Sequence, residues 1–420
     1  MRLLALVLLV GFAPSVHAEN WPQWRGPKND GHSTETKLPS KWDEKTNIVW
    51  KTKLPGPGAS TPCIWDKSIF ITAVVEKDLV LMCIGTDGEE KWKKVIGGGN
   101  KAARGDEGNS ASASCSTDGK QVYAFVGDGS LVAYDFAGNE KWKVNTTKDY
   151  GDFSIQFGAH WTPVLHSGKL YVCLMHRKAQ LIVCFDTTNG KELWKTKRES
   201  DGTGESPDVY ASPFIWEKGD KAQLVVHGND YCTGHDLKDG SEIWRVTELN
   251  PKANYNKFWR AVSSPLVTPD LIVVPSCKNG VTVAIDPGKA KGEIKPGATD
   301  NGELWRIAKD TPDVPCPILV DGTVFVWKEN QSLLAYDAKT GKSTGSLKLT
   351  SERHRASPVL ADSKLILVGR EGSMATVKPT AEPELIEKMK LPDTFTASPA
   401  VSGGRIYLRG WNYLWAVGEK

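Results

Sequence analysis

A unit of about 48 residues recurs along the chain, and this repeat constrains the fold more than any other feature. In most copies a small residue and a proline come first, followed by three short apolar strands that are separated by turns. The third strand ends in Asp, a Gly follows in the turn, and a Trp comes next. Three full copies occupy residues 112–142, 162–194 and 212–244.

Counting the starts of the units gives the size of the repeat array. The eight starts are Pro62, Cys115, Pro163, Pro213, Pro265, Pro317, Pro358 and Pro399. Their mean spacing of about 48 residues is typical of one four-stranded blade. The sequence therefore predicts an all-β fold, an eight-bladed β-propeller of four-stranded antiparallel blades.

The apolar runs are typical of strands that are buried on both faces. "KLYVCLMH" and "QLIVCFD" show no polar alternation, because the middle strands of a propeller blade pack against a neighbouring blade on each side. Asp and Gly supply the turn chemistry. We expect the Trp on the outer strand to cover the gap between two blades.

The units are not identical, and their differences predict local changes. The Asp-to-Trp interval is eight residues in the copies that end at Trp194 and Trp244, but 19 in the copy that ends at Trp305. An 11-residue insertion should therefore enlarge that hairpin. Gly345 stands where another Trp is expected.

The segment "NIVWKTKL", residues 47–54, looks like the end of a unit without its beginning. The last unit, in contrast, has three strands and no outer Trp-bearing strand. A blade with three strands would leave an unpaired edge, so we expect residues 47–54 to complete it and close the ring. The predicted domains are a signal peptide (1–18), an N-terminal extension (19–46) and the propeller (47–420).

The N-terminus and the composition predict an exported protein. Residues 1–18 combine one Arg, a short apolar run and small residues before a cleavage point after Ala18. No Cys stands at that point, so a lipoprotein is not expected, and no later apolar run is long enough to span a bilayer. The net charge of +3 argues against nucleic acid as a partner. The predicted location is the periplasm or the exterior, and the predicted state is a monomer.

The eight cysteines are scattered and include no CxxC or adjacent pair. Most lie in apolar runs, which favours small buried core residues over disulfides. Cys173 and Cys184 flank one hairpin and are the best candidate for a bridge. No Cys/His cluster has the spacing of metal ligands, so we expect no metal site.

The repeat resembles the pyrroloquinoline-quinone-type (PQQ-like) β-propeller family. The resemblance rests on the pattern A-x-D-x-x-x-G-x-x-x-W, which is clearest in "CFDTTNGKELW" and appears in "AYDAKTGKSTG" without its Trp. It covers about residues 47–420. The opening "WPQWRGPKNDG" (21–31) is similar to segments that precede such propellers in exported bacterial proteins, including those of planctomycete type. We expect this segment to pack across the outside or the base of the ring.

The family includes quinoprotein dehydrogenases and non-catalytic scaffold propellers of outer-membrane protein assembly. The dehydrogenase branch implies PQQ, a calcium ion, an Asp base and often a disulfide between adjacent cysteines. This chain has no adjacent cysteines and is shorter than such catalytic subunits, and no calcium ligand can be mapped onto it. We therefore expect a non-catalytic binding or scaffold module without a cofactor. The alternative is a PQQ-dependent oxidoreductase, similar to quinoprotein alcohol or sugar dehydrogenases, with PQQ and calcium.

Long loops between units mark the candidate site. Four of them, at 97–112, 145–161, 197–211 and 247–262, lead to inner strands near the channel mouth. The candidate ligand-binding residues are His160, Trp161, Asp208, Tyr210, Trp259, Arg260, His354 and Arg355. Arginine with aromatic side chains suits an anionic or planar ligand, and the expected partner is a protein, peptide or glycan. Alternatively, these groups satisfy one another and fill the channel.

Overall fold

The computed structural model describes residues 18–100, 108–328, 332–349 and 352–419. The predicted signal peptide therefore lies outside the described residues except for Ala18, and so does part of the 97–112 loop. The described strands form eight separate sheets. Seven sheets have four strands and one has five, and their order around the ring is that of an eight-bladed β-propeller. The predicted fold class is confirmed.

Each blade runs from an inner strand at the channel to an outer strand at the rim. The strands of blades 1 to 4 are Cys63–Trp65, Ser68–Val75, Asp78–Gly85 and Glu90–Gly98; Ser116–Thr117, Gln121–Phe125, Ser130–Asp135 and Glu140–Asn145; Val164–His166, Lys169–His176, Ala179–Asp186 and Glu192–Lys197; and Phe214–Lys218, Lys221–Gly228, Tyr231–Asp236 and Glu242–Val246.

Blades 5 to 8 follow the same order. Their strands are Leu266–Val267, Ile272–Pro275, Thr282–Ile285 and Glu303–Ile307; Ile318–Val320, Thr323–Trp327, Ser332–Asp337 and Ser343–Lys348; Val359–Ala361, Lys364–Val368, Ser373–Lys378 and Glu384–Lys390; and Ala400–Ser402, Arg405–Arg409, Tyr413–Val417 and Ile48–Lys53. The helices are Thr146–Tyr150 and the 3₁₀ turns Lys252–Asn254 and Thr299–Asn301. None of the helices in the described ranges is both long and apolar enough to cross a membrane.

The N-terminal strand closes the ring as predicted. Ile48–Lys53 pairs antiparallel with Tyr413–Val417, and Lys51 lies opposite Trp415. First and last segments of the propeller thus share one sheet, so that blade 8 has the same four strands as its neighbours.

The insertion in blade 5 forms more than the enlarged hairpin that the sequence predicted. Its segment Gly292–Ile294 leaves blade 5 and pairs in parallel with the outer strand of blade 4, with Gly292 opposite Trp244. The Trp244 indole consequently stays on its own blade: it packs over Gly234 and donates to Gln223 Oε1 at 2.8 Å.

The core consists of apolar layers between neighbouring blades, and these layers contain six of the cysteines, all except Cys277 and Cys316. All eight are buried free thiols. Cys173 lies opposite Ile182, and Cys184 lies opposite Tyr171. Because the two cysteines are two positions out of register, the candidate bridge between them is not formed.

Candidate functional site

A belt of small residues surrounds the channel where the inner strands begin. Its members each precede the first residue of a unit, and they are Thr61, Ser114, Thr162, Ser212, Ser264, Cys316, Ser357 and Ser398. In seven of the eight steps between blades, the backbone N–H of one belt residue donates to the side-chain hydroxyl of the next, at 2.9–3.2 Å. The exception is the step from Ser264 to Cys316. The small residue that the repeat places before proline therefore links the blades around the channel.

The N-terminal extension crosses the face of the ring opposite the long loops, and we call residues 19–46 the strap. It contacts six blades. On blades 1 to 4, Trp21 bridges Ile64, Pro22 O accepts a hydrogen bond from Thr117 N–H, Gln23 Oε1 accepts one from Leu165 N–H, and the Trp24 ring lies near Phe214. On blades 7 and 8, Arg25 donates to Pro358 O, and Glu19 O accepts from the Ser402 hydroxyl. The sequence predicted that the segment 21–31 would pack across either the outside or the base of the ring.

The strap passes across the propeller axis at Trp24. Gln23 is bonded to blade 3, and Arg25 is bonded to blade 7 by a 2.7 Å hydrogen bond. These two blades stand on opposite sides of an eight-membered ring, so the intervening Trp24 lies over the channel. Trp24 accordingly contributes to the lining of the central cavity.

The central cavity has a volume of about 510 Å³, within the range of small-ligand sites. Its lining includes six belt hydroxyls, namely Thr61, Ser114, Thr162, Ser212, Ser264 and Ser398. Towards the loop face it is lined by Phe157, His160, Tyr210, Arg260, Lys278, Asp313, Arg353 and Arg355. The cavity thus has a hydroxyl-lined throat and a wider mouth with aromatic and charged groups.

Four of the eight predicted site residues line this cavity, namely His160, Tyr210, Arg260 and Arg355. The rings of His160 and Tyr210 lie 5.9 Å apart, and the Tyr210 hydroxyl accepts a hydrogen bond from Phe157 N–H at 3.2 Å. Burial lowers the pKa of His160, and its Nε2 lies 2.6 Å from Phe157 O. These contacts fix the aromatic wall of the mouth.

Arginine side chains also line the mouth, and one of them contacts the aromatic wall. Arg260 Nη1 lies 2.6 Å from Glu205 Oε2, and its guanidinium lies over the Phe157 ring at 4.8 Å. Arg355 Nη1 is 4.0 Å from Asp313 Oδ2. The ion pair and the ring contact hold Arg260, which is part of the cavity lining.

The other four predicted residues lie outside the cavity lining. Trp161 is buried in the core, where its indole donates to Val209 O at 2.6 Å. Asp208 is buried in a two-point ion pair with Arg177, and burial raises its pKa although Arg177 opposes the change. His354 is buried and stacks on Trp327 at 3.8 Å. Trp259 lines a small neighbouring pocket instead.

Several mouth residues escaped the sequence prediction. Lys278 lies in a turn of blade 5, and Asp313 and Arg353 lie in loops after the outer strands of blades 5 and 6. Asp313 and Arg353 each precede an inner strand, as His160 and Tyr210 do. Applying the loop argument to every unit would have found these two, whereas nothing in the repeat marks Lys278.

The mouth is predominantly cationic. Four cationic side chains, Arg260, Lys278, Arg353 and Arg355, share the lining with one carboxylate, Asp313. Among the described residues, no three His, Cys, Asp or Glu side chains gather as a metal site would require. The arrangement suits an anionic group better than a metal ion.

The eight blades define the class of the chain as an eight-bladed β-propeller. The family model described as outer membrane protein assembly factor BamB matches residues 34–225, 157–314 and 235–409. The chain therefore belongs to this PQQ-like propeller family. No curated protein matches it.

Solved structures share the fold at low sequence identity. BamB from Moraxella catarrhalis superimposes with a TM-score of 0.63 at 11% identity, covering 88% of this chain and 99% of that one. Quinohemoprotein alcohol dehydrogenase from Comamonas testosteroni gives 0.67 at 13% identity, covering 96% and 81%. A europium-containing methanol dehydrogenase gives 0.71 at 11% identity, covering 94% and 90%. At these identities the likeness concerns the fold alone.

Proposed function

We propose that this chain is an exported, non-catalytic propeller that binds a segment of a partner protein or peptide in its channel mouth. The observation that supports the proposal best is the central cavity of about 510 Å³, which opens among the long loops and has the strap across its other end. Its aromatic and arginine lining is the composition in which binding energy concentrates at protein interfaces. The BamB description of the family agrees with such a role.

The dehydrogenase alternative requires a site for PQQ and calcium. Calcium takes six to eight oxygen ligands, several of them carboxylates. The lining offers Asp313 as its carboxylate, within 4.0 Å of Arg355, and the other charged lining residues are cations. The lining therefore does not fit a calcium ion.

One titration tests the two functions against each other. We expect PQQ with calcium to leave the melting temperature unchanged, and we expect no oxidation of alcohols or sugars with an artificial electron acceptor. A ligand present at 100 times its Kd would stabilise the fold by about 2.7 kcal/mol, which is easily detected. Stabilisation together with turnover would establish the oxidoreductase and overturn the proposal.

Binding itself is tested by panning a random peptide library on the purified protein. We expect the enriched peptides to lose binding to the mouth variant Arg260→Gln and to keep binding to the control variant Lys257→Gln. Lys257 is exposed on the same loop as Arg260 but lies outside the cavity lining. Enrichment on a glycan array instead would redirect the proposal to a carbohydrate partner. Enriched peptides that bind both variants equally would place binding elsewhere.

A further inference from the structure

We propose that the channel site recognises the carboxylate end of an extended peptide, with the terminal carboxylate at the hydroxyl belt and the preceding residues in the cationic mouth. This inference rests on the proposed function, because it names the part of the partner that enters the channel. It draws on three features: the hydrogen bonding of the belt, the charge of the mouth and the crossing of the strap.

The belt offers hydroxyl donors to the channel. The hydroxyl oxygens of Thr162, Ser212 and Ser264 each accept a backbone N–H from the preceding blade. In the described part of the chain these hydroxyls donate no hydrogen bond of their own. Their hydrogens are therefore available, and Thr61, Ser114 and Ser398 repeat the arrangement around the throat.

An anion is the ligand group that such a ring favours. Hydroxyl donors make short, strong hydrogen bonds to a carboxylate. Each belt hydroxyl hydrogen can be donated to a carboxylate oxygen, which accepts hydrogen bonds and has no hydrogen of its own when ionised. The mouth also favours an anion, since its four cations outnumber the carboxylates even when Glu205, which pairs with Arg260, is counted together with Asp313. Charged walls of one sign concentrate the complementary ion in a cleft.

The blind end of the channel favours a chain terminus over an internal loop. The strap crosses this end of the channel between blades 3 and 7, with Trp24 in the cavity lining, and so stands in the path of a peptide that would pass through. An internal segment would need room for two strands of chain, one entering and one leaving, in a cavity of about 510 Å³. A single extended terminus needs room for only one strand of chain. Phe157 and Tyr210 then offer an aromatic wall to the last side chains.

Two synthetic peptide libraries test this inference. Both carry a fluorophore at the N-terminus and the same random sequence, but one ends in a free carboxylate and the other in an amide. We expect the carboxylate library to bind at least about tenfold more tightly, which corresponds to about 1.4 kcal/mol. We also expect this preference to weaken as salt is added.

Matched variants locate the carboxylate. Thr162→Val removes one belt hydroxyl, whereas Thr162→Ser retains it. We expect the first to reduce the preference for the carboxylate library and the second to keep it. Because Thr162 also accepts the N–H of Ser114, circular dichroism and melting must show that both variants are folded at the assay temperature. If Thr162→Val is unfolded there, Lys278→Gln against the exposed Lys257→Gln tests whether the cationic mouth contributes to the preference for the carboxylate.

The outcomes separate the two proposals. Equal binding of the acid and amide libraries would overturn the carboxylate inference and leave the peptide-binding function standing. Failure of both libraries to bind would overturn both. Competition by free acetate or phosphate without any peptide binding would show a small-anion site and also overturn both. A carboxylate preference that is unchanged in every variant would place the carboxylate outside the channel.

Discussion

The indole nitrogen of Trp142 in blade 2 donates a hydrogen bond to the backbone carbonyl of Thr187 in blade 3, at 2.8 Å. The same ring lies against Gly190 in the turn of blade 3. The same hydrogen bond joins four other pairs of neighbouring blades. In each, a Trp indole donates to a backbone carbonyl of the following blade: Trp50 to Thr86, Trp92 to Phe136, Trp194 to Leu237, and Trp305 to Ala338. The Asp-Gly turn and the Trp of the repeat are thus two halves of a contact between neighbouring blades.

This contact predicts a large effect of a methyl group at Gly190. The residue has φ of +70°, and an added Cβ would lie 2.6 Å from the Trp142 ring. We expect Gly190→Ala to lower the free energy of unfolding by about 1–3 kcal/mol through overpacking, in addition to about 1–2 kcal/mol from the left-handed backbone. Urea denaturation would measure the change.

Gly219→Ala is the matched control for this substitution. Gly219 has a similar φ of +63°, but an added Cβ would meet nothing within 4 Å. Gly219→Ala should therefore lower the free energy of unfolding only by the contribution of the left-handed backbone. Equal losses in the two variants would show that the contact between Trp142 and Gly190 adds nothing to stability.

Ring closure predicts that blade 8 depends on residues far away in the sequence. Deleting residues 47–54 removes the partner of Tyr413–Val417 and exposes that strand as an edge. We expect amide hydrogen exchange to accelerate in Tyr413–Val417, which contains Trp415, while Ala179–Asp186 of blade 3 keeps its protection. A deletion variant with full protection and an unchanged melting temperature would disprove the role of this strand in closure.

The fold could be predicted from the sequence because each blade carries its own local pattern. The Asp-Gly turn, the doubly apolar strands and the Trp recur in phase, and counting them also revealed that the last unit lacked a strand. The parallel strand Gly292–Ile294 was not predictable in this way. It is short, it pairs with another blade, and no repeated pattern marks it.

The candidate site was predicted only in part. His160, Tyr210, Arg260 and Arg355 line the cavity, and their position just before the inner strands identified them. Trp161 occupies a similar position but faces the core, because successive residues of an extended segment face opposite sides. The direction of each side chain depends on the exact start of the strand, which a sequence pattern leaves uncertain by a residue.

The gap in the belt predicts a stabilising substitution. Cys316 stands where the other blades have Ser or Thr, and the hydrogen bond that Ser264 would donate there is not formed in the described structure. We expect Cys316→Ser to supply the acceptor and raise the free energy of unfolding by about 0.5–1.5 kcal/mol. Differential scanning calorimetry would detect the higher melting temperature.

Ser212→Ala gives the opposite change at an intact step of the belt. It leaves the backbone N–H of Thr162 buried without its acceptor, so the expected loss is about 1–3 kcal/mol. A Cys316→Ser protein that is no more stable than the wild type would show that the belt hydrogen bonds do not determine stability at this step.

Buried histidines predict that the propeller loses stability in mild acid. Burial lowers the pKa of His227 to about 4, and the neighbouring Arg198 contributes to the shift. Burial likewise lowers the pKa values of His176 and His235 to about 4. Below the ordinary histidine pKa of about 6.5, the unfolded chain binds protons that the folded chain does not. Stability should therefore fall between about pH 6.5 and pH 4, by up to about 3 kcal/mol for His227 alone.

His227→Phe isolates this contribution, because phenylalanine fills the buried position without titrating. Urea unfolding of the variant and the wild type at pH 7.5 measures the change in packing, since His227 is neutral in both states there. The further loss of unfolding free energy between pH 7.5 and pH 4.5 measures protonation. This loss should be smaller in the variant by roughly 1.4 kcal/mol for each pH unit below about 6.5. Equal losses in the two proteins would mean that His227 is protonated as easily in the folded chain as in the unfolded one.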